Sequence, residues 1–211
     1  FSAPVKLDAG LSRRDLRFLL AHDSDSFNRW EAAQALAKTV MLEQIARAQS
    51  GEPFTADADY FGALEAVVEQ IAAPDDARDM TLLARLLAPP GENDLAQEMA
   101  IIDVDAIHET VRATRAEIGR RFGDRFRQIY QSMRGDGEYS LAPAEIARRA
   151  VRNLALAYLV EGEDGGAIPL AFAQFESADN MTDRLSALVA LIDTSSHERD
   201  AALKLFYDRY R

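Results

Sequence analysis

Cysteine is absent from these 211 residues. Disulfides and thiolate metal sites are thereby excluded, and the composition suits a cytoplasmic protein. Histidine is scarce, at three, and tryptophan occurs once. No apolar run approaches the roughly 18 residues that cross a bilayer, so no membrane partner is expected. Positive charge is in deficit: 24 Lys+Arg face 35 Asp+Glu, a formal net charge of -11. An acidic body of this size repels phosphate backbones, which speaks against a nucleic-acid partner. The opening "FSAPVKLDAG" has neither an initial Met nor the basic-then-apolar layout of a signal peptide, and the chain reads as a piece of a longer one.

What is present is helix. Hydrophobic residues make up 48% and charged residues 28%, enough apolar matter for a sizeable core. Residues Phe1, Ala3, Val5 and Leu7 alternate as a strand would, with no partner strand to follow. From there on the pattern is helical. Ser12 with Asp15 forms a capping box before "LRFLLA", and Asp25 or Ser26 caps a long helix that stops at Gly51. Further helices are expected over 57–72, 75–87, 92–100, 105–133, 142–161, 168–177, 181–192 and 196–210. Glycine and proline gather between them, in "SGEPF", "AAPDD", "APPGEN", "MRGDGEYS" and "VEGEDGGAIP". Gly119 and Gly123 fall inside the longest helix, each at a cost of about 1 kcal/mol. Ile146, Ala150, Val151, Leu154 and Tyr158 recur at three- and four-residue steps and mark one buried stripe. Some ten helices with short loops favour an all-α fold of stacked antiparallel pairs, an α-α superhelix of the HEAT/ARM kind.

Candidate sites reduce to scaffold one after another. The H-E-x-x-H zinc signature starts twice and fails twice, with Arg112 in "HETVR" and Ala201 in "HERDA" where the second His belongs. His22, His108 and His197 read as surface or helix-terminal residues. In "HDSDSFNRWEAAQAL", Asp23 and Asp25 open a calcium-loop pattern that Phe27, Asn28 and Gln34 break. Capping by Asp25 or Ser26 explains that stretch, and Trp30, Ala33, Ala37, Val40 and Met41 supply an apolar stripe with Trp30 as its anchor. Asp75 and Asp76 sit where a helix dipole favours acids. "GDGEYS" and "GEDGGAIP" carry acids where a phosphate loop cannot tolerate them. Arg112, Arg115, Arg120, Arg121, Arg125 and Arg127 outnumber Glu109, Glu117 and Asp124, a stripe able to hold anions or an acidic partner. Glu117–Arg121 and Arg120–Asp124 are spaced as i,i+4 pairs that neutralise part of it. No catalytic, cofactor-binding or metal-ligating residue is assigned.

Four segments go further. "FSAPVKL" (1–7), "FNRWEAAQAL" (27–36), "IARRAVRNLAL" (146–156) and "DNMTDRLSAL" (179–188) stand in an order and at separations that resemble the C-terminal helical domain of bacterial aminopeptidase N enzymes, in the M1 family of zinc metallopeptidases. The resemblance spans the chain. It implies that residues 1–8 are the last strand of a preceding β-sandwich domain and residues 9–211 the first part of a helical domain. Such a domain would cap the active site and restrict peptide access, while the full-length parent removes N-terminal amino acids from peptides. Zinc and its H-E-x-x-H ligands, with a G-x-M-E-N motif for the substrate amine, would lie in a catalytic domain outside this chain. The partners implied are the catalytic and β-sandwich domains of the same polypeptide, and peptide substrates. Spacing alone leaves an alternative: a free-standing helical-repeat adaptor that grips a protein partner on its concave face.

Overall fold

The computed structural model describes residues 9–73, 78–135 and 139–211. The strand expected over 1–8 and the Asp75-Asp76 helix start lie outside the described residues. Within them the chain is helical, with no strand. The helices are α1 (Arg13–His22), α2 (Ser26–Gln49), α3 (Ala58–Ala72), α4 (Met80–Leu86), α5 (Glu92–Ala96), α6 (Val104–Ser132), α7 (Pro143–Glu161), α8 (Ala167–Ser177), α9 (Met181–Ile192) and α10 (His197–Tyr210).

Local chemistry sets most of these ends. The Ser12/Asp15 capping box opens α1, with Asp15 Oδ2 accepting from Ser12 N at 2.9 Å. Asp25, and not Ser26, caps α2, accepting from Phe27 N at 2.8 Å and Asn28 N at 3.0 Å. Gly51, at φ 72°, takes the left-handed turn after Ser50 that ends it. Asp103 caps α6 two residues earlier than the expected start, accepting from Ala106 N at 3.1 Å. The helix expected over 92–100 is shorter: past Ala96 the chain tightens into i→i+3 turns, Glu98 N to Leu95 O at 3.0 Å and Met99 N to Ala96 O at 3.2 Å.

Successive helices pair. α1 lies on α2, α6 on α7, and α8 on α9; α2 and α3 flank α6, while α10 closes the far end on α8 and α9. One apolar core runs the length of the stack, from Leu20 and Leu36 through Phe126 and Leu156 to Leu188 and Ala202. A smaller cluster of Met41, Ile45, Leu95 and Ile107 wedges α5 between α2 and α6.

The α6–α7 crossing is the tightest. A Cβ at Gly119 would meet the Tyr158 carbonyl at 2.2 Å and Gly162 N at 2.6 Å, and one at Gly162 would meet Gly119 C at 2.4 Å. Gly119 is thus the point where two backbones touch, whereas Gly123 has open space around its missing Cβ. Above it Tyr158 stacks on Phe126, ring centroids 5.0 Å apart, and donates its hydroxyl to Leu87 O at 2.5 Å.

Two stripe assignments change. Ala33, Ala37, Val40 and Met41 are buried as expected, but Trp30 is only half-buried, at the rim of the core beside the exposed Phe27 ring. On α7 Val151 and Tyr158 are buried, but Ile146 is 47% exposed, and the covered face holds Ala155, Leu156 and Leu159 instead. Stacking against both α6 and α9 turns the helix away from the simple one-stripe pattern.

Candidate functional site

A groove of about 1680 Å³ runs along α6, α7 and α9, bounded by the α4–α5 turn, the α7–α8 loop and the start of α10. It is larger than the roughly 300–1,000 Å³ of a small-molecule pocket and has the proportions of a binding face for a chain. α9 supplies an apolar wall. Met181, Leu185 and Val189, four residues apart, are all exposed into it, while Ala187, Leu188 and Leu191 on the opposite side of the helix are buried. Leu154, Val160 and Ile168 extend the apolar surface from α7 and α8.

Directly behind this wall lies a buried polar network. Asn153 Nδ2 donates to Asp183 Oδ1 at 2.8 Å, and Asn180 Nδ2 to Asp183 Oδ2 at 3.0 Å. Gln174 Nε2 donates to Asn153 Oδ1 at 2.8 Å and to the Asp183 carbonyl at 3.1 Å. Tyr130 OH donates to Gln174 Oε1 at 3.0 Å and accepts from Arg152 Nη2 at 2.8 Å. Arg184 ties α9 to its neighbours through Phe175 O at 3.2 Å and the Tyr210 hydroxyl at 2.8 Å. The segments 146–156 and 179–188 therefore meet in space, and their polar residues are the bolts that set α9 against α7 and α8. Residues 27–36 act likewise at the other end: Arg29 Nε donates to Leu20 O at 2.9 Å and Gln34 Nε2 to Ala88 O at 2.9 Å.

The arginine stripe is distributed between helices. Arg115 pairs with Glu161, Arg125 with Glu69 (each 2.7 Å) and Arg127 with Asp164. Glu117 pairs with Arg120 at 3.0 Å and not with Arg121, whose guanidinium lies 5.3 Å from the Phe61 ring centroid. The expected i,i+4 pairs do not form: Glu117 meets Arg120 at i,i+3 within α6, while Arg115, Arg125 and Arg127 reach acids outside it. Arg112 alone of the six faces the groove with no ion pair among the described residues. An anion-binding stripe is not what this arrangement offers.

At the acid end of the groove, Arg115 Nε (2.9 Å) and Nη2 (2.7 Å) both donate to the same oxygen, Glu161 Oε1. Glu161 Oε2 is buried without a hydrogen-bond partner among the described residues. Burial pushes the Glu161 carboxyl above its ordinary range against the pull of Arg115, and the nearby Asp193 carboxylate adds to the rise.

The histidines are apart in role. His22 ends α1 beside the Phe18 ring, His108 Nδ1 lies 2.7 Å from Glu92 Oε1, and His197 Nδ1 lies 2.9 Å from Glu198 Oε2. Asp25 is occupied as a cap. Among the described residues no three His, Asp or Glu side chains gather as a metal site. Also among the described residues, no helix is long and apolar enough to cross a membrane.

The fold and groove first define a class: an all-helical stack of antiparallel pairs with a concave, polypeptide-sized face. The family follows. A family model described as "Domain of unknown function (DUF3458_C) ARM repeats" matches residues 13–211, and the chain belongs to that family. All of the chain is similar to part of aminopeptidase N from Escherichia coli (35% identity), Caulobacter vibrioides (34%) and Haemophilus influenzae (31%). It spans 23–24% of the length of those relatives. A solved structure of Legionella pneumophila aminopeptidase A in complex with aspartic acid has the same fold, with a TM-score of 0.77 at 22% identity over 98% of this chain and 24% of that one.

Proposed function

We propose that this chain is a non-catalytic helical domain of a zinc-dependent M1 aminopeptidase, and that it covers an active site held elsewhere in the polypeptide. Residues 9–211 form the first part of that domain, and residues 1–8 end the β-sandwich before it. The observation that carries the reading is similarity along the whole chain to a minor share of three aminopeptidase N sequences. The groove supports it, since a concave polypeptide-sized face is what restricts access to peptides and unfolded ends. Confinement of this kind also excludes bulk water during turnover. The parent hydrolyses N-terminal amino acids from peptides with zinc bound in its catalytic domain; this chain contributes no catalytic, cofactor or metal residue. A cytoplasmic location goes with the absence of cysteine.

The test uses the full-length protein. It is expected to release N-terminal residues and to lose that activity on zinc chelation. Val189→Trp, which narrows the groove, is expected to raise KM severalfold for peptides of eight or more residues, with aminoacyl chromogenic substrates unaffected. An inactive full-length protein, or hydrolysis by this chain alone with one metal bound, overturns the reading.

A further inference from the structure

The groove is chemically two-sided, and the asymmetry points to a particular kind of peptide. Its apolar wall is the exposed row Met181, Leu185 and Val189. Its charged lining is mostly acidic: Glu92, Glu161, Glu163, Asp164, Asp193 and Glu198 stand against Arg112 and Arg115. Some of those acids are already satisfied, Glu92 by His108, Glu198 by His197, Asp164 by Arg127 and one oxygen of Glu161 by Arg115. Glu163 and Asp193 are exposed and make no ion pair among the described residues. Glu163 is moreover held at φ 57°, the only non-glycine residue at positive φ among those described, in the loop at the acid end. That end therefore carries exposed negative charge on Glu163 and Asp193, which Arg115 offsets only through its field on Asp193.

We propose that the groove binds an extended peptide segment that alternates apolar residues, seated on Met181, Leu185 and Val189, with Lys or Arg, held by the exposed Glu163 and Asp193. This deepens the reading above and rests on it: the parent preferentially draws in cationic, unfolded peptides beyond whatever residue it cleaves. The dimensions agree. From Met181 to Asp193 α9 rises about 18 Å, which an extended chain at about 3.3 Å per residue covers in five to six residues. Alternate side chains of that strand point to opposite sides, so one set meets the apolar wall while those of the other set nearest the α7–α8 loop meet Glu163 and Asp193. Arg112 repels cations at its own position on α6, which favours seating the basic side chains toward the α7–α8 loop.

The probes are three octapeptides, acetylated and amidated so that no free amine enters the chemistry: Leu/Ala with Lys, the same with Gln, and the same with Glu. Calorimetric titration of the full-length protein at low salt is expected to give a Kd for the Lys peptide about tenfold below that of the Gln peptide, with the Glu peptide weakest. The advantage shrinks as salt is raised. A Glu163→Gln/Asp193→Asn double variant, both positions being exposed, is expected to bind the Lys and Gln peptides alike. Equal binding of the Lys and Gln peptides by the wild type, or a Lys preference that survives the double variant, overturns the inference. If all three bind equally and Val189→Lys weakens them all, charge selection falls and the access role stands. If none binds and the protein releases no N-terminal residue, both fall.

Discussion

Single residues carry constraints here that their type alone does not announce. Gly119 looks like a tolerated break in a long helix, yet a Cβ there would meet the Tyr158 carbonyl at 2.2 Å. Gly119→Ala is expected to cost about 2 kcal/mol, overpacking outweighing the gain in helix propensity. Thermal unfolding should drop by about 4–8 °C. Gly123→Ala, with nothing within 4 Å of the added carbon, is the control and should hold or gain stability. Equal melting points for the two variants would contradict the backbone contact between α6 and α7. Asp183 makes the same point in a polar register. It is a cap-region acid by sequence, but it is buried and accepts from Asn153 and Asn180, so the shape of the groove wall depends on it.

At the scale of the element, α2 was the most legible helix and also the one whose emphasis shifts. Its cap, its end at Gly51 and the burial of Ala33, Ala37, Val40 and Met41 all follow from local pattern. Trp30 does not sit as deep as an anchor would, because the chain turns from α1 into α2 just before it and leaves one side to solvent. Trp30→Ala is accordingly expected to cost about 2 kcal/mol, below the range for a fully buried aromatic. A denaturant midpoint unchanged from wild type would remove Trp30 from the core rim. α9 shows the converse. Its sequence marks a helix over 181–192 without saying which apolar residues are covered, and only its neighbours decide that Met181, Leu185 and Val189 are left facing an open groove.

For the whole molecule, acid titration reports how its carboxylates are used. Ser12 hydrogen bonds hold the Asp15 carboxyl below its ordinary range, as the Ala106 amide and Gln49 do for Asp103, and Arg148 for Glu145. A carboxyl whose folded-state pKa is depressed adds stability above its unfolded value and loses it as pH falls through the folded value. Glu161 works in the opposite sense: raised by burial, it favours the fold most when protonated and loses that contribution as pH rises. The melting temperature should therefore fall as pH drops below about 4, where ordinary Asp and Glu begin to protonate. In an Asp15→Asn/Asp103→Asn/Glu145→Gln variant the fall should be shallower in a melting series from pH 6 to pH 3. An identical slope would mean these three acids do not stabilise the fold.

The sequence by itself determined most of the helices, the caps of α1 and α2, the all-α class and, through four segments, the family. Those features depend on residues three or four apart, and the chain's local order already contains them. Only the tertiary structure decided which arginine meets which acid, that Gly119 touches Gly162, that segments 146–156 and 179–188 share one buried network, and that their junction fronts a groove. Apart from the Glu117–Arg120 pair, these ties between helices join residues 30 to 56 positions apart, and it is the stacking of helices, set by where apolar area is buried, that brings them within bonding distance.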